Sequence, residues 1–146
     1  MNNKMENAGN QTLLLVKPTA VQNNYIGGIL KMVNDAGFKI GAIKLVNLKK
    51  WQADLFYRVH AEKPFYNELT EFIASGPVLA ALLIKDDAVK ELRELIGATN
   101  PKEAKEGTIR NKYGQSTTHN AVHASDTDEN AVHEVDFFFS LVERFK

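Results

Sequence analysis

From Pro77 to Ile84 the chain runs eight residues without a polar side chain. A strand with one wet face alternates between apolar and polar residues, so this run describes a strand covered on both faces. A shorter run, Leu13-Leu14-Leu15-Val16, is closed by Lys17-Pro18. Proline has no N–H to give to a ladder. The run therefore reads as a second buried strand that delivers Lys17 at its carboxyl end.

The remaining elements follow from spacing. Ile26, Ile29, Leu30 and Val33 recur at helical intervals and Gly37 stands just past them, which predicts an amphipathic helix over 24–36. Phe38 to Val46 alternates in part and is rich in Ile, Val and Phe, as a strand is. Gln52 to His60 has a helical pattern bounded by Pro64, and Leu69, Phe72 and Ile73 mark a short helix. Asp86 and Asp87 open a helix that turns Val89, Leu92 and Ile96 inward and ends at Gly97.

Ala98 to Thr118 carries Pro101, Gly107 and Gly114 and shows no periodic element. So long a loop inside a compact domain is commonly functional. Ala121-Val122 reads as a short strand. A helix over 127–139 follows, with Ala131, Val132, Val135 and Phe138 buried and a capping-box start from Asp126 to Glu129. With the small middle helices set aside, the order is βαββαβ plus a terminal helix. That is a ferredoxin-like α+β sandwich: a four-stranded, mainly antiparallel sheet with helices packed on one face.

At 146 residues the chain suits one domain. Residues 1–11, polar and Asn-rich, read as a disordered leader and 12–146 as a single domain. Lys+Arg and Asp+Glu balance at 18 each, so no bulk cationic field attracts nucleic acid or an anionic membrane. There is no cysteine, which excludes disulfides and thiolate chemistry. No apolar run is long enough to span a membrane, and the start lacks the apolar core of a signal peptide; a cytoplasmic protein is expected.

Of the four histidines, His123 is the one set between ordered backbone on both sides. That setting holds an imidazole in one rotamer and one tautomer, as a nucleophile or general base requires. Its pattern alone describes a packed strand-end histidine equally well. His60 and His133 read as solvated surface residues, and His119 as either. Glu134 borders the buried face of the last helix, from which it can accept a hydrogen bond from one ring nitrogen of His123 and leave the other free. Arg93, Thr99, Thr108 and Arg110 supply forked and hydroxyl groups that match phosphate oxygens. Neither a Walker loop nor a G-x-G-x-x-G is present, and no cysteine or H-E-x-x-H pair marks a metal site.

Lys17-Pro18, Ser75-Gly76-Pro77, Gly97-Ala98-Thr99-Asn100-Pro101, Gly107-Thr108-Ile109-Arg110 and Asn120-Ala121-Val122-His123-Ala124-Ser125-Asp126 occur in this order. With them the chain closely resembles the nucleoside diphosphate kinase family from about Thr12 to Phe139. The resemblance implies that His123 takes the γ-phosphate of a nucleoside triphosphate, mainly ATP, and that a nucleoside diphosphate then removes it in a ping-pong cycle. It implies that Lys17 contacts the sugar 3′-hydroxyl and the transferring phosphate, and that Tyr57 supports the histidine. Arg93, Thr99 and Arg110 are expected to hold the phosphates, with Mg²⁺ bridging these and no metal ligand from the protein. Asn120 is expected to bind sugar hydroxyls, Phe65 to stack on the base and Leu69 to line that slot. Ser125 and Glu134 are expected to orient His123. A homo-oligomer, hexamer or tetramer, is implied as well.

Some positions depart from the family pattern. Ala124 stands where Gly is usual, Thr117-Thr118 replaces Val-Gly, Asn111-Lys112 replaces Gly-Asp, and the tail is short. The Ala124 methyl is expected beside the attacking ring. Two other readings of the residues are a ferredoxin-like module that binds nucleotide or RNA without turnover, and a metal-dependent hydrolase.

Overall fold

The computed structural model describes residues 9–145. Four strands, β1 (Gln11–Val16), β2 (Lys39–Val46), β3 (Val78–Ile84) and β4 (Val122–Ala124), form one sheet in the order β2-β3-β1-β4. All three pairings are antiparallel, with Leu15 opposite Ala80 in β3 and His123 in β4. This is the ferredoxin-like topology expected. Residues 1–8 of the expected leader lie outside the described residues, and β1 starts at Gln11 rather than Leu13.

The helices are α1 (Pro18–Gln22), α2 (Ile26–Asp35), α3 (Lys50–Phe56), α4 (Tyr66–Ile73), α5 (Ala88–Ile96), α6 (Ile109–Tyr113) and α7 (Asp128–Phe138). They cover both faces of the sheet, not one. Leu14 and Val16 of β1 face Ile29 and Val33 of α2 and Leu92 and Ile96 of α5. Their neighbours Leu13 and Leu15 point the other way, to Ala53, Tyr57 and Ile73 of the α3–α4 layer and Val135 and Phe138 of α7. Alternation along a strand makes this division, and two apolar layers explain why Leu13–Val16 of β1 and the whole of β3 carry no polar side chain.

Four local expectations change. The 98–118 loop contains α6, whose first turn is capped by Thr108 Oγ1 accepting from the Asn111 N–H at 3.3 Å. Thr127, not Asp126, caps α7: its Oγ1 accepts from the Asn130 N–H at 3.0 Å, while Asp126 takes the Asn130 side-chain amide at 2.7 Å. Pro18 not only ends β1 but occupies the first turn of α1, where its missing N–H costs nothing. Val132 is only half-buried.

Candidate functional site

The carboxyl end of β1 meets the segment that enters β4. The Lys17 N–H donates to Ala121 O at 2.9 Å. Ala121 reaches that position through a left-handed backbone, φ +77°, a conformation that costs a non-glycine residue about 1 kcal/mol or more. The buried Lys17 ammonium donates to Asn120 Oδ1 at 2.7 Å and to Thr118 O at 3.4 Å, and the Asn120 amide donates to Thr99 O at 3.0 Å. Burial, reinforced by the nearby Arg110 guanidinium, pushes the Lys17 pKa down to about 7.

His123 projects from β4 to the α3–α7 side of the sheet. Its Nε2 hydrogen-bonds Glu134 Oε1 on α7, and both side chains are mostly covered. Phe56 and Tyr57 present edge-to-face contacts to the imidazole, with ring centroids 5.3 and 5.5 Å away. These contacts fix the ring plane. With Nε2 engaged by a carboxylate, the favoured tautomer carries its proton there and leaves the Nδ1 lone pair free. Tyr57 Oη is buried without a hydrogen-bond partner among the described residues. Burial, with the Glu134 charge adding to it, pushes the phenol pKa well above its ordinary value, so it stays neutral.

A cavity of about 520 Å³ opens over this ring. His123 and Glu134 form part of its floor, Arg93, Thr99 and Arg110 one wall, and Phe65, Val59 and Leu55 of the α3–α4 region another. Arg110 is only 7% exposed and doubles as a strut, donating to Gly97 O at 3.2 Å and Val122 O at 3.0 Å. Its Nε has no partner among the described residues. Burial, with Arg93 adding to it, lowers the Arg110 pKa to about 10, so it remains a cation at neutral pH. Phe65 is 47% exposed, an aromatic face available to a planar ligand.

Of the expected site residues, His123, Glu134, Tyr57, Arg93, Thr99, Arg110 and Phe65 line the cavity, and Lys17 and Asn120 join its Thr99 wall through the Asn120 amide. Two expected residues sit elsewhere. Ser125 is fully buried and spends its groups on β1, its Oγ accepting from the Leu13 N–H at 3.3 Å and its N–H donating to Leu13 O at 3.2 Å. It anchors the strand that carries His123. Leu69 packs against the core beneath α4 and does not line the cavity. Ala124 packs into the opposite core with Leu14, and the residue also borders the cavity beside His123. His60 and His133 both line the cavity; His133 is exposed, as read from sequence, while His60 is half-buried, 5.8 Å from the Phe65 ring. Neither has a sequence signal apart from the Tyr57–Phe65 spacing around His60. Among the described residues no cluster of three His, Asp or Glu is arranged to hold a metal ion.

A ferredoxin-like domain with a cation-walled cavity over a carboxylate-held imidazole falls in the class of phosphotransferases. A family model described as nucleoside diphosphate kinase matches residues 10–143. A nucleoside diphosphate kinase of Flavobacterium psychrophilum is 54% identical over 94% of this chain and 99% of its own. That of Lawsonia intracellularis is 47% identical over 92% and 98%. Among solved structures, Aquifex aeolicus nucleoside diphosphate kinase superposes with TM-score 0.91 at 43% identity, covering 92% of this chain and 98% of its own. A Halobacterium salinarum nucleoside diphosphate kinase in complex with CDP gives 0.89 at 36% identity, covering 93% and 91%. The chain belongs to the nucleoside diphosphate kinase family and is a phosphotransferase acting on nucleotides.

Proposed function

We propose that His123 Nδ1 is the nucleophile that accepts the phosphoryl group. The observation that carries this is the Glu134 hydrogen bond to Nε2, which holds the proton on the far nitrogen and leaves Nδ1 as the only lone pair on the ring. Nδ1 attacks the γ-phosphorus of a nucleoside triphosphate, mainly ATP. The bond to the β–γ bridging oxygen breaks, and its electron pair leaves with the nucleoside diphosphate. A terminal phosphate oxygen of a second nucleoside diphosphate then attacks the same phosphorus, and the P–N electron pair returns to Nδ1. Glu134 stabilises the positive charge that the ring gains while phosphorylated.

Phosphoryl transfer requires alignment and neutralisation of charge more than covalent chemistry. Arg93, Thr99 and Arg110 neutralise and align the phosphates, Lys17 and Asn120 bind the sugar hydroxyls, and Phe65 stacks on the base in a way that tolerates different bases. Lys17 also reaches the transferring phosphate. A divalent cation such as Mg²⁺, brought in with the nucleotide, would add to the charge neutralisation that Arg93 and Arg110 supply in the cavity wall. The CDP complex of the Halobacterium relative supports a nucleotide in this cavity. The protein works in the cytoplasm as a homo-oligomer, a hexamer or tetramer.

Incubation with γ-labelled ATP and Mg²⁺ gives an acid-labile, alkali-stable phosphoprotein that ADP or GDP discharges. His123→Gln takes no label and loses several orders of magnitude in turnover, roughly the cost of removing a covalent nucleophile. Label retained by His123→Gln, or an unlabelled wild type that still binds nucleotide by calorimetry, overturns the proposal; the latter result identifies a binding module.

A further inference from the structure

We propose that His119 is a positioning residue for sugar recognition, acting through Lys17 and Asn120. The inference rests on the assignment of those two side chains to the sugar hydroxyls. His119 stands between the two groups that accept from the Lys17 ammonium, Thr118 O and Asn120 Oδ1. Its own side chain is committed elsewhere. Nδ1 is 2.8 Å from Thr19 Oγ1 on α1, and the ring lies against Phe72 of α4, centroids 4.2 Å apart and planes tilted by 40°. Its backbone is tied too: the N–H donates to Ser116 Oγ at 3.0 Å, and the carbonyl accepts from the Gln115 N–H at 2.8 Å.

The bonds between 17–19 and 119–121 therefore act as successive rungs. The Lys17 N–H reaches Ala121 O, the Lys17 ammonium reaches Asn120 Oδ1, and Thr19 Oγ1 reaches His119 Nδ1. The last rung fixes the distance over which the second can form. A buried ammonium held, among the described residues, at two oxygens is sensitive to that distance, because a donor that drifts from its acceptors loses their stabilisation while remaining desolvated. Phe72 adds a second anchor on the helix whose N-terminal flank carries Phe65, so one imidazole ties the sugar end of the cavity to the base end.

The rung is read by a pair of acceptors, dGDP and its 2′,3′-dideoxy analogue, which lacks the 3′-hydroxyl. Thr19→Val removes only the hydroxyl, and His119→Phe keeps a ring against Phe72 but removes Nδ1. Each lowers the ratio of kcat/KM for dGDP over the dideoxy acceptor by about three- to tenfold, the scale of one hydrogen bond. The change appears mainly in KM for dGDP. His119→Asn, whose amide supplies a polar group near the Nδ1 position, recovers part of the ratio. Equal losses on both acceptors, or an unchanged ratio in a Thr19→Val protein that melts like wild type, overturn the inference. If the wild type itself does not prefer the 3′-hydroxyl, the assignment of Lys17 and Asn120 falls, and the role of His119 falls with it. A wild type that does prefer it, beside a Thr19→Val variant with the same preference, removes the role of His119 alone.

Discussion

Lys17 is a cation placed where a cation is costly. Its pKa of about 7 lies below the ordinary value of 10.5 because the ammonium is buried and faces Arg110. The sign of the linkage follows. With the folded value depressed, the contribution to stability is fully present above about 10.5 and is lost as pH falls through 7. An arriving phosphate reverses the imbalance by restoring a counter-charge, which raises the Lys17 pKa again. At pH 8 the free site is therefore mostly neutral at Lys17, and nucleotide binding takes up a proton. Titration calorimetry in buffers of different ionisation enthalpy shows this uptake at pH 8, shrinking below pH 7, and Lys17→Met abolishes it. Lys17, Thr99, Arg110, Asn120 and His123 were readable in the sequence because each sits in a short motif of distinctive chemistry, whereas Tyr57 and Phe65 came only with the family resemblance. Ser125 and Leu69 were misplaced because a motif specifies neighbours along the chain, not the face to which a side chain turns.

The element that carries the nucleophile, β4, is three residues long. Its alternation places Val122 and Ala124 in one core and His123 on the other side. The methyl at 124 is thus a packing group rather than an obstacle. Ala124→Gly is expected to lower stability by about 1 kcal/mol, through lost apolar burial and added backbone freedom, seen as a lower melting temperature. Turnover should stay within about twofold of wild type, since a methyl outside the imidazole's face adds little to the barrier. The longer elements were legible from periodicity: α2, α5, β2 and β3 lie within a residue or two of expectation. The five-residue α6 was not, because a helix of little more than one turn has no period to display and depends on its cap and on Arg110 as a strut. The second helical layer was implied by the eight apolar residues to Ile84, yet the grouping of elements into βαββαβ hid it. The small helices set aside, α3 and α4, form most of that layer with α7.

Across the whole molecule, the apolar side chains left outside the two cores are concentrated in a few segments. Ile43 and Leu45 lie on the edge strand β2, and Leu141, Val142 and Phe145 lie in the C-terminal segment, with Val142 88% exposed. Segment and strand are joined by the Lys44–Glu143 ion pair at 2.9 Å and by the Phe145 N–H donating to Gly41 O. Exposed apolar groups gathered in this way favour association. Size exclusion with light scattering is expected to give a mass several times the 16.3 kDa of one chain, and a monomer would overturn the proposed assembly. The pairing of β1 with β4 has a consequence for synthesis. The groups that meet there are separated by more than 100 positions along the chain, from Lys17 to Asn120 and from Leu13 to Ser125. Loop closure of that length is slow relative to local helix formation. A nascent chain therefore holds Lys17 long before it holds a partner for it, and Glu134 follows His123 by a further eleven positions. A chain released before α7 emerges has its histidine and the aromatic edges that hold the ring plane, but not the carboxylate that selects its tautomer.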